Sequence, residues 1–250
     1  MGGFGGERLM AVSELWLSRH GESIANIAAS EAERDGKDRI QIDIRDADVP
    51  LSATGQDQAA ALGQWLSGHR SSIDEYWVSP YIRARQTLEL ALGDGATASR
   101  TVVDERLRDR ELGVLDLLTR RGVAEHHPDE AERRHRLGKF YHRPAGGESW
   151  ADVALRLRSF LRDALQTPSE TVMVVAHDAV VMLLLYVLLP LREEELLSFA
   201  ESHTVLNASV THLVRRAEGW ELVEFSDVTH LKVEGAAVTA HPGSSDVRPE

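Results

Sequence analysis

Cysteine is absent from the 250-residue chain. That excludes disulfides, thiolate nucleophiles and cysteine-based metal sites, and it leaves the redox compartment unreadable. Positive charge is scarce: 28 Lys and Arg stand against 40 Asp and Glu, a formal net charge of −12. Nucleic acid or an anionic membrane would call for a basic face, so neither is expected as a partner. Long hydrophobic runs are missing too. The apolar stretch VVMLLLYVLLPL, Val180 to Leu191, is shorter than the roughly 20 residues a bilayer needs. It reads as a buried helix, part of which offers a face for a homodimer. The start MGGFGGERLM has neither the basic opening nor the long apolar segment of a signal peptide. Gly6 also stands where a myristoylation signal carries Ser or Thr. A cytoplasmic location is the default expectation.

Hydrophobic residues make up 42% of the chain, ordinary for one sizeable core. Strands are expected at Glu14–Ser18, Glu75–Val78, Thr101–Val103, Thr171–His177, Ser209–Arg215 and Glu221–Phe225. Helices are expected at 53–67, from Pro80, at 149–164 and at 180–189. Strands alternating with helices predict an α/β fold, a three-layer α/β/α arrangement around a mostly parallel central sheet. Residues 1–13 are expected to be a flexible start, 14–234 a single domain, and 235–250 a disordered Gly/Ser/Pro-containing tail. Polar stretches without clear period at 28–48 and 119–143 read as insertions over the site.

In parallel α/β sheets, ligands bind beyond the carboxyl ends of the strands. Arg19 and His20 follow the first strand, Ser79 to Arg83 the second, and His177 the long apolar one. Two guanidinium forks with two imidazoles can hold a phosphoryl group. Arg19 and Arg83 could instead be surface residues paired with Glu22 and Glu89. A neutral His20, kept neutral by neighbouring cations, could attack phosphorus while His177 donates to its oxygens. A two-histidine metal site competes with this reading, but no third ligand stands nearby and arginine opposes a cation. A leaving alkoxide needs a proton, and DERLRDRELG, residues 104–113, supplies Asp109 or Glu111.

These residues resemble the histidine phosphatase superfamily, the phosphoglycerate-mutase-like fold. SRHGES (Ser18 to Ser23) followed by Asn26 is similar to its nucleophile motif, and PLSATGQDQAAALG (Pro50 to Gly63) to the segment after it. SPYIRARQT (Ser79 to Thr87) resembles the second-arginine motif, and RLRDRELG (Arg106 to Gly113) the general-acid motif. RPAGGES (Arg143 to Ser149) resembles a later loop, and VVAHD (Val174 to Asp178) the second-histidine motif. They fall in family order between about residues 14 and 226.

The resemblance implies that His20 is phosphorylated, that Arg19, Asn26, Arg83 and His177 bind the phosphoryl group, and that Asp109 holds the acid position. Two departures stand out. The family more commonly has glutamate as the acid, with Glu111 as rival here, and glycine usually follows the second histidine where this chain has Asp178. The resemblance implies a small phosphorylated substrate and no cofactor. Phosphomonoester hydrolysis is the favoured activity, since RPAGGES looks like the phosphatase members. A phosphoglycerate-type mutase and a catalytically impaired phosphoryl-ligand binder are the alternatives.

Overall fold

The computed structural model describes residues 12–69, 72–93 and 101–241. Most of the expected flexible start, and the tail beyond residue 241, lie outside the described residues. Six strands form one sheet: β1 (Glu14–Arg19), β2 (Glu75–Val78), β3 (Thr101–Val103), β4 (Thr171–Ala176), β5 (Val210–Arg216) and β6 (Gly219–Asp227). Their order is β3-β2-β4-β1-β5-β6. β1, β2, β3 and β4 run parallel, while β5 pairs antiparallel with β1 and β6 with β5.

Alternation along the strands sorts the two faces. Leu15, Leu17, Val172, Val174 and Ala176 point into one core, with Val153, Leu157 and Phe160 of α6 (Trp150–Ala164) and Leu183 and Leu184 of α7 (Asp178–Leu188). Met173, Val175 and Tyr76 point into the other, with Leu62 and Leu66 of α2 (Ala53–His69) and Leu88 of α3 (Ile82–Leu92). This is the three-layer arrangement expected from the sequence. α7 is apolar all round because most of its length is buried, Val180 to Leu185 included. Among the described residues no helix is long and apolar enough to cross a membrane.

Three local expectations need correction. The stretch from residue 28 opens inside α1 (Ile24–Arg34), whose start is fixed by a reciprocal capping box between Ser23 and Asn26. The 119–143 segment is helical as well: α4 (Arg120–His126) and α5 (Pro128–Tyr141) fill it, with a kink at Gly138. The presumed tail is not loose from residue 236. Gln58 donates to Ala237 O and Thr239 Oγ1, and Asn207 N donates to Thr239 O. Its segment through His241 is therefore strapped onto the body of the protein by groups that composition does not reveal. Between these elements lie α8 (Glu193–Ser202) and α9 (Thr229–Val233).

Candidate active site

β1, β4 and β2 end side by side, and the ladder continues into the loops. His20 N donates to Ala176 O and Ser79 N to Val175 O, each at 3.0 Å. These backbone bonds bring His20, His177 and the 79–83 turn to one edge, as the strand order requires. α3 starts at Ile82, behind Tyr81 as N-cap, so Arg83 enters the site from the first helical turn. The loop after β1 rests directly on the start of α2. A β-carbon on Gly55 would run into the Glu22 carbonyl, so only glycine fits there.

The His20 ring is fixed in one tautomer. Its Nδ1 faces the Gly21 carbonyl at 2.6 Å, an oxygen that can only accept, so Nδ1 carries the proton and Nε2 keeps its lone pair. The rings of His20 and His177 meet edge-on with centroids 5.2 Å apart. Ser79 Oγ lies 2.8 Å from His177 Nε2 and accepts from Tyr81 N at 3.3 Å. We assign the Ser79 hydrogen to Nε2, which leaves the His177 proton on Nδ1. That Nδ1 is buried without a hydrogen bond, 3.3 Å from Asp109 Oδ2.

Neither arginine is a surface residue. Arg19 is fully buried and donates to Val205 O and His241 O, both at 2.7 Å, while its Nε has no partner. Arg83 reaches His20 Nε2 at 3.3 Å, Asp109 Oδ2 at 3.1 Å and Asp46 Oδ1 at 3.0 Å. The surface pair on α3 belongs to Arg85, which contacts Glu89 at 3.5 Å. Asn26 sits beside the loop that carries His20: its Oδ1 accepts from Ser23 N, and Asn207, whose Nδ2 holds His20 O at 3.1 Å, approaches it at 3.5 Å.

Electrostatics follow from this burial. Desolvation, then Arg83, His177 and Arg19, push the His20 pKa well below its usual value. Desolvation also lowers His177, against the pull of Asp109. Burial alone would raise Asp109, but His177, Arg83 and the Arg110 amide hold its carboxyl well below the usual range. Asp109 is therefore ionised beside two neutral imidazoles. Glu111 stands farther out, exposed, accepting from Tyr81 OH at 3.1 Å.

The RPAGGES segment clamps the loop that carries Asp109 and Glu111. Glu148 receives Arg108 Nη2 at 2.7 Å, Arg156 Nε at 2.9 Å and Glu111 N at 3.2 Å, while Arg156 Nη2 holds Asp109 O at 3.1 Å. Asp178 opens α7 and accepts from Ala179 N at 2.8 Å, so the departure after the second histidine is a helix-start carboxylate. Among the described residues no group of three or more His, Asp or Glu is placed to hold a metal ion. Sequence reasoning missed Asp46, Asn207 and His241, which no motif marks.

The family model for the histidine phosphatase superfamily (branch 1) matches residues 15–228. The chain belongs to the histidine phosphatase superfamily. Among superfamily relatives, 6-phosphofructo-2-kinase/fructose-2,6-bisphosphatase 1 of Mus musculus is 30% identical over 230 residues, 91% of this chain and 44% of the relative. Fructose-2,6-bisphosphatase TIGAR B of Danio rerio is 32% identical over 164 residues, 64% of this chain and 56% of that protein. The chain thus spans about half the length of these curated relatives. A solved mycobacterial glucosyl-3-phosphoglycerate phosphatase superposes with a TM-score of 0.66 at 27% identity, covering 87% of this chain and 100% of that one. The α-ribazole phosphatase of Shigella flexneri, at 21% identity, shares the fold with a TM-score of 0.70 over 86% of this chain and 96% of its own.

Proposed function

We propose that the protein hydrolyses phosphomonoesters through a phosphohistidine on Nε2 of His20, and that its substrates carry a second anionic group. The observation that carries the first part is one lone-pair nitrogen in a buried site that also holds an N–H donor without a hydrogen bond, Arg19 Nε. His20 has its tautomer fixed by Gly21 O, Arg19 Nε lacks a hydrogen bond, and His177 Nδ1 faces Asp109 Oδ2 at 3.3 Å. A buried unpaired donor is costly, and a phosphoryl oxygen would satisfy Arg19 Nε while Arg83 adds its fork.

In this reading Nε2 attacks phosphorus and the P–O bond to the leaving oxygen breaks. Asp109 supplies the proton that oxygen needs. Held ionised at rest, it takes up a proton from solvent once the dianionic ester draws Arg83 away and brings negative charge beside the carboxylate. Water then attacks the phosphohistidine, Asp109 accepts its proton, and inorganic phosphate leaves with His20 restored. An arginine-rich donor set favours anions over a metal ion.

The second part rests on Arg110, Arg134 and Lys139. Burial lowers all three; Arg110 and Arg134 further depress Lys139, to about 8, and Arg110 depresses Arg134, to about 10. Lys139 Nζ lies over the Trp150 ring at 4.3 Å. Arg110 also feels Asp109, Glu148, Asp152 and Asp178, and Lys139 feels Asp178 and Glu201; a carboxylate or second phosphate of the substrate would be drawn to this group of cations. Bisphosphate and phosphoglycerate-type substrates in the names of the relatives fit this chemistry.

The test is phosphate release in EDTA from phosphomonoesters with and without a second anionic group, for wild type and His20→Ala. Release that favours the doubly anionic esters and vanishes in His20→Ala supports the reading. Transfer of phosphoryl between hydroxyls without release of phosphate replaces it with a mutase.

A further inference from the structure

Arg83 is the most heavily engaged cation of the site. Its Nη1 donates to Asp46 O at 2.6 Å and Asp46 Oδ1 at 3.0 Å, and its Nη2 to Asp46 Oδ2 at 3.4 Å and Asp109 Oδ2 at 3.1 Å. Nε points to His20 Nε2 at 3.3 Å. Every guanidinium nitrogen is thus taken, and one carboxylate, that of Asp46, meets both Nη atoms. A carboxylate across the fork presents two oxygens in the way a phosphoryl group does.

Asp46 comes from outside every motif of the site. It opens the single helical turn Asp46–Asp48 between α1 and α2, in the polar segment read from the sequence as an insertion over the site. Its side chain is 44% exposed, against 5% for Arg83. A half-exposed carboxylate loses little by returning to water, whereas the buried guanidinium must keep an anionic partner. Of the two, Asp46 is the group that can leave. Within the turn Arg45 Nε and Nη2 each hold Asp48 at 2.8 Å.

We propose that Asp46 is a specificity-determining competitor for the phosphoryl group: its carboxylate stands where two phosphoryl oxygens bind Arg83 and must be displaced by the substrate. This deepens, and rests on, the reading of Arg83 as a phosphoryl ligand. A dianionic phosphoryl group displaces a single carboxylate charge with a net electrostatic gain. The sulfate dianion shares that charge but a monoanionic sulfonate does not, so Asp46 selects against monoanions of similar shape.

The test is calorimetric binding of inorganic phosphate and of methanesulfonate to wild type, Asp46→Asn, Asp46→Ala and Arg83→Ala, with melting curves to show that each variant folds. Both Asp46 variants are expected to bind phosphate about tenfold more tightly and to narrow the preference for phosphate over methanesulfonate. Arg83→Ala is expected to weaken phosphate binding. Unchanged or weaker phosphate binding in both folded Asp46 variants, with the Arg83→Ala loss intact, overturns the role of Asp46 and leaves the pocket standing. Unchanged phosphate binding in Arg83→Ala overturns the pocket and the inference together.

Discussion

Ser79 holds His177 across 98 residues of sequence, Oγ to Nε2 at 2.8 Å, with both side chains fully buried. The hydroxyl sets the tautomer that leaves Nδ1 facing Asp109. Ser79→Ala removes that partner and strands Nε2 in the interior. We expect kcat to fall on the order of tenfold to a hundredfold, the range for a misplaced catalytic group, with KM little changed. Thr at this position keeps the hydroxyl and should recover most of the loss. Steady-state kinetics of Ser79→Ala and Ser79→Thr check this.

Asp109 and Glu111 are separated by their surroundings rather than their chemistry. Asp109 contacts His177 and Arg83, whereas Glu111 reaches the site only through the Tyr81 hydroxyl. Asp109→Asn should lower kcat by about a hundredfold or more, as removal of a general acid does. Glu111→Gln should stay within a few fold. The loss in Asp109→Asn should shrink for esters with good leaving groups, which need no proton; a series of aryl phosphates measures this.

The strap at 236–241 gives a third expectation. His241 Nε2 meets the buried Glu22 carboxylate at 2.7 Å, its Nδ1 lies 2.6 Å from Ser30 Oγ, and its carbonyl receives Arg19 Nη2 at 2.7 Å. A chain ending at Gly235 takes all three away and leaves Glu22 and Arg19 without those partners. Melting temperature should drop, since unpaired buried polar groups cost about 1–3 kcal/mol each. Activity at a temperature where the shortened chain is still folded should fall about tenfold through Arg19. Thermal melts and kinetics on the two lengths separate the effects.

What sequence could show, and what it could not, divides along these contacts. His20, Arg83 and His177 were legible because each closes an apolar strand or opens the helix behind one, so periodicity alone placed them at one edge. Asp46 and His241 were not. Their partners lie 37 and 222 residues away, respectively, and neither sits in a pattern that binds locally. α1 was hidden for a different reason: its polar residues blur the period, and Asn26, half of the Ser23–Asn26 capping box that starts it, carried only the phosphate-binding role the resemblance implies. The strap looked disordered because small and polar residues earn no hydrophobic score, although backbone carbonyls and hydroxyls are what hold it.

The proposed preference for a second anionic group carries a pH dependence through Lys139. Burial first, then Arg134 and Arg110, bring its pKa down to about 8. Below that value it is charged and attracts the second anionic group; as pH rises through it, the cation is lost. KM for a doubly anionic ester should therefore rise several-fold between about pH 7 and about pH 9. KM for an ester with a neutral tail should not, and Lys139→Met should flatten the first curve. Parallel KM profiles for both esters in wild type would remove Lys139 from recognition.

The most direct measurement is a rapid acid-free quench of the enzyme with radiolabelled phosphomonoester, followed by peptide mapping. The account predicts a label that is acid-labile and base-stable, maps to the peptide containing His20, and accumulates further in Asp109→Asn if breakdown is slowed more than formation. Phosphate release by wild type with no labelled enzyme at any time point, and no loss of release in His20→Ala, would contradict it.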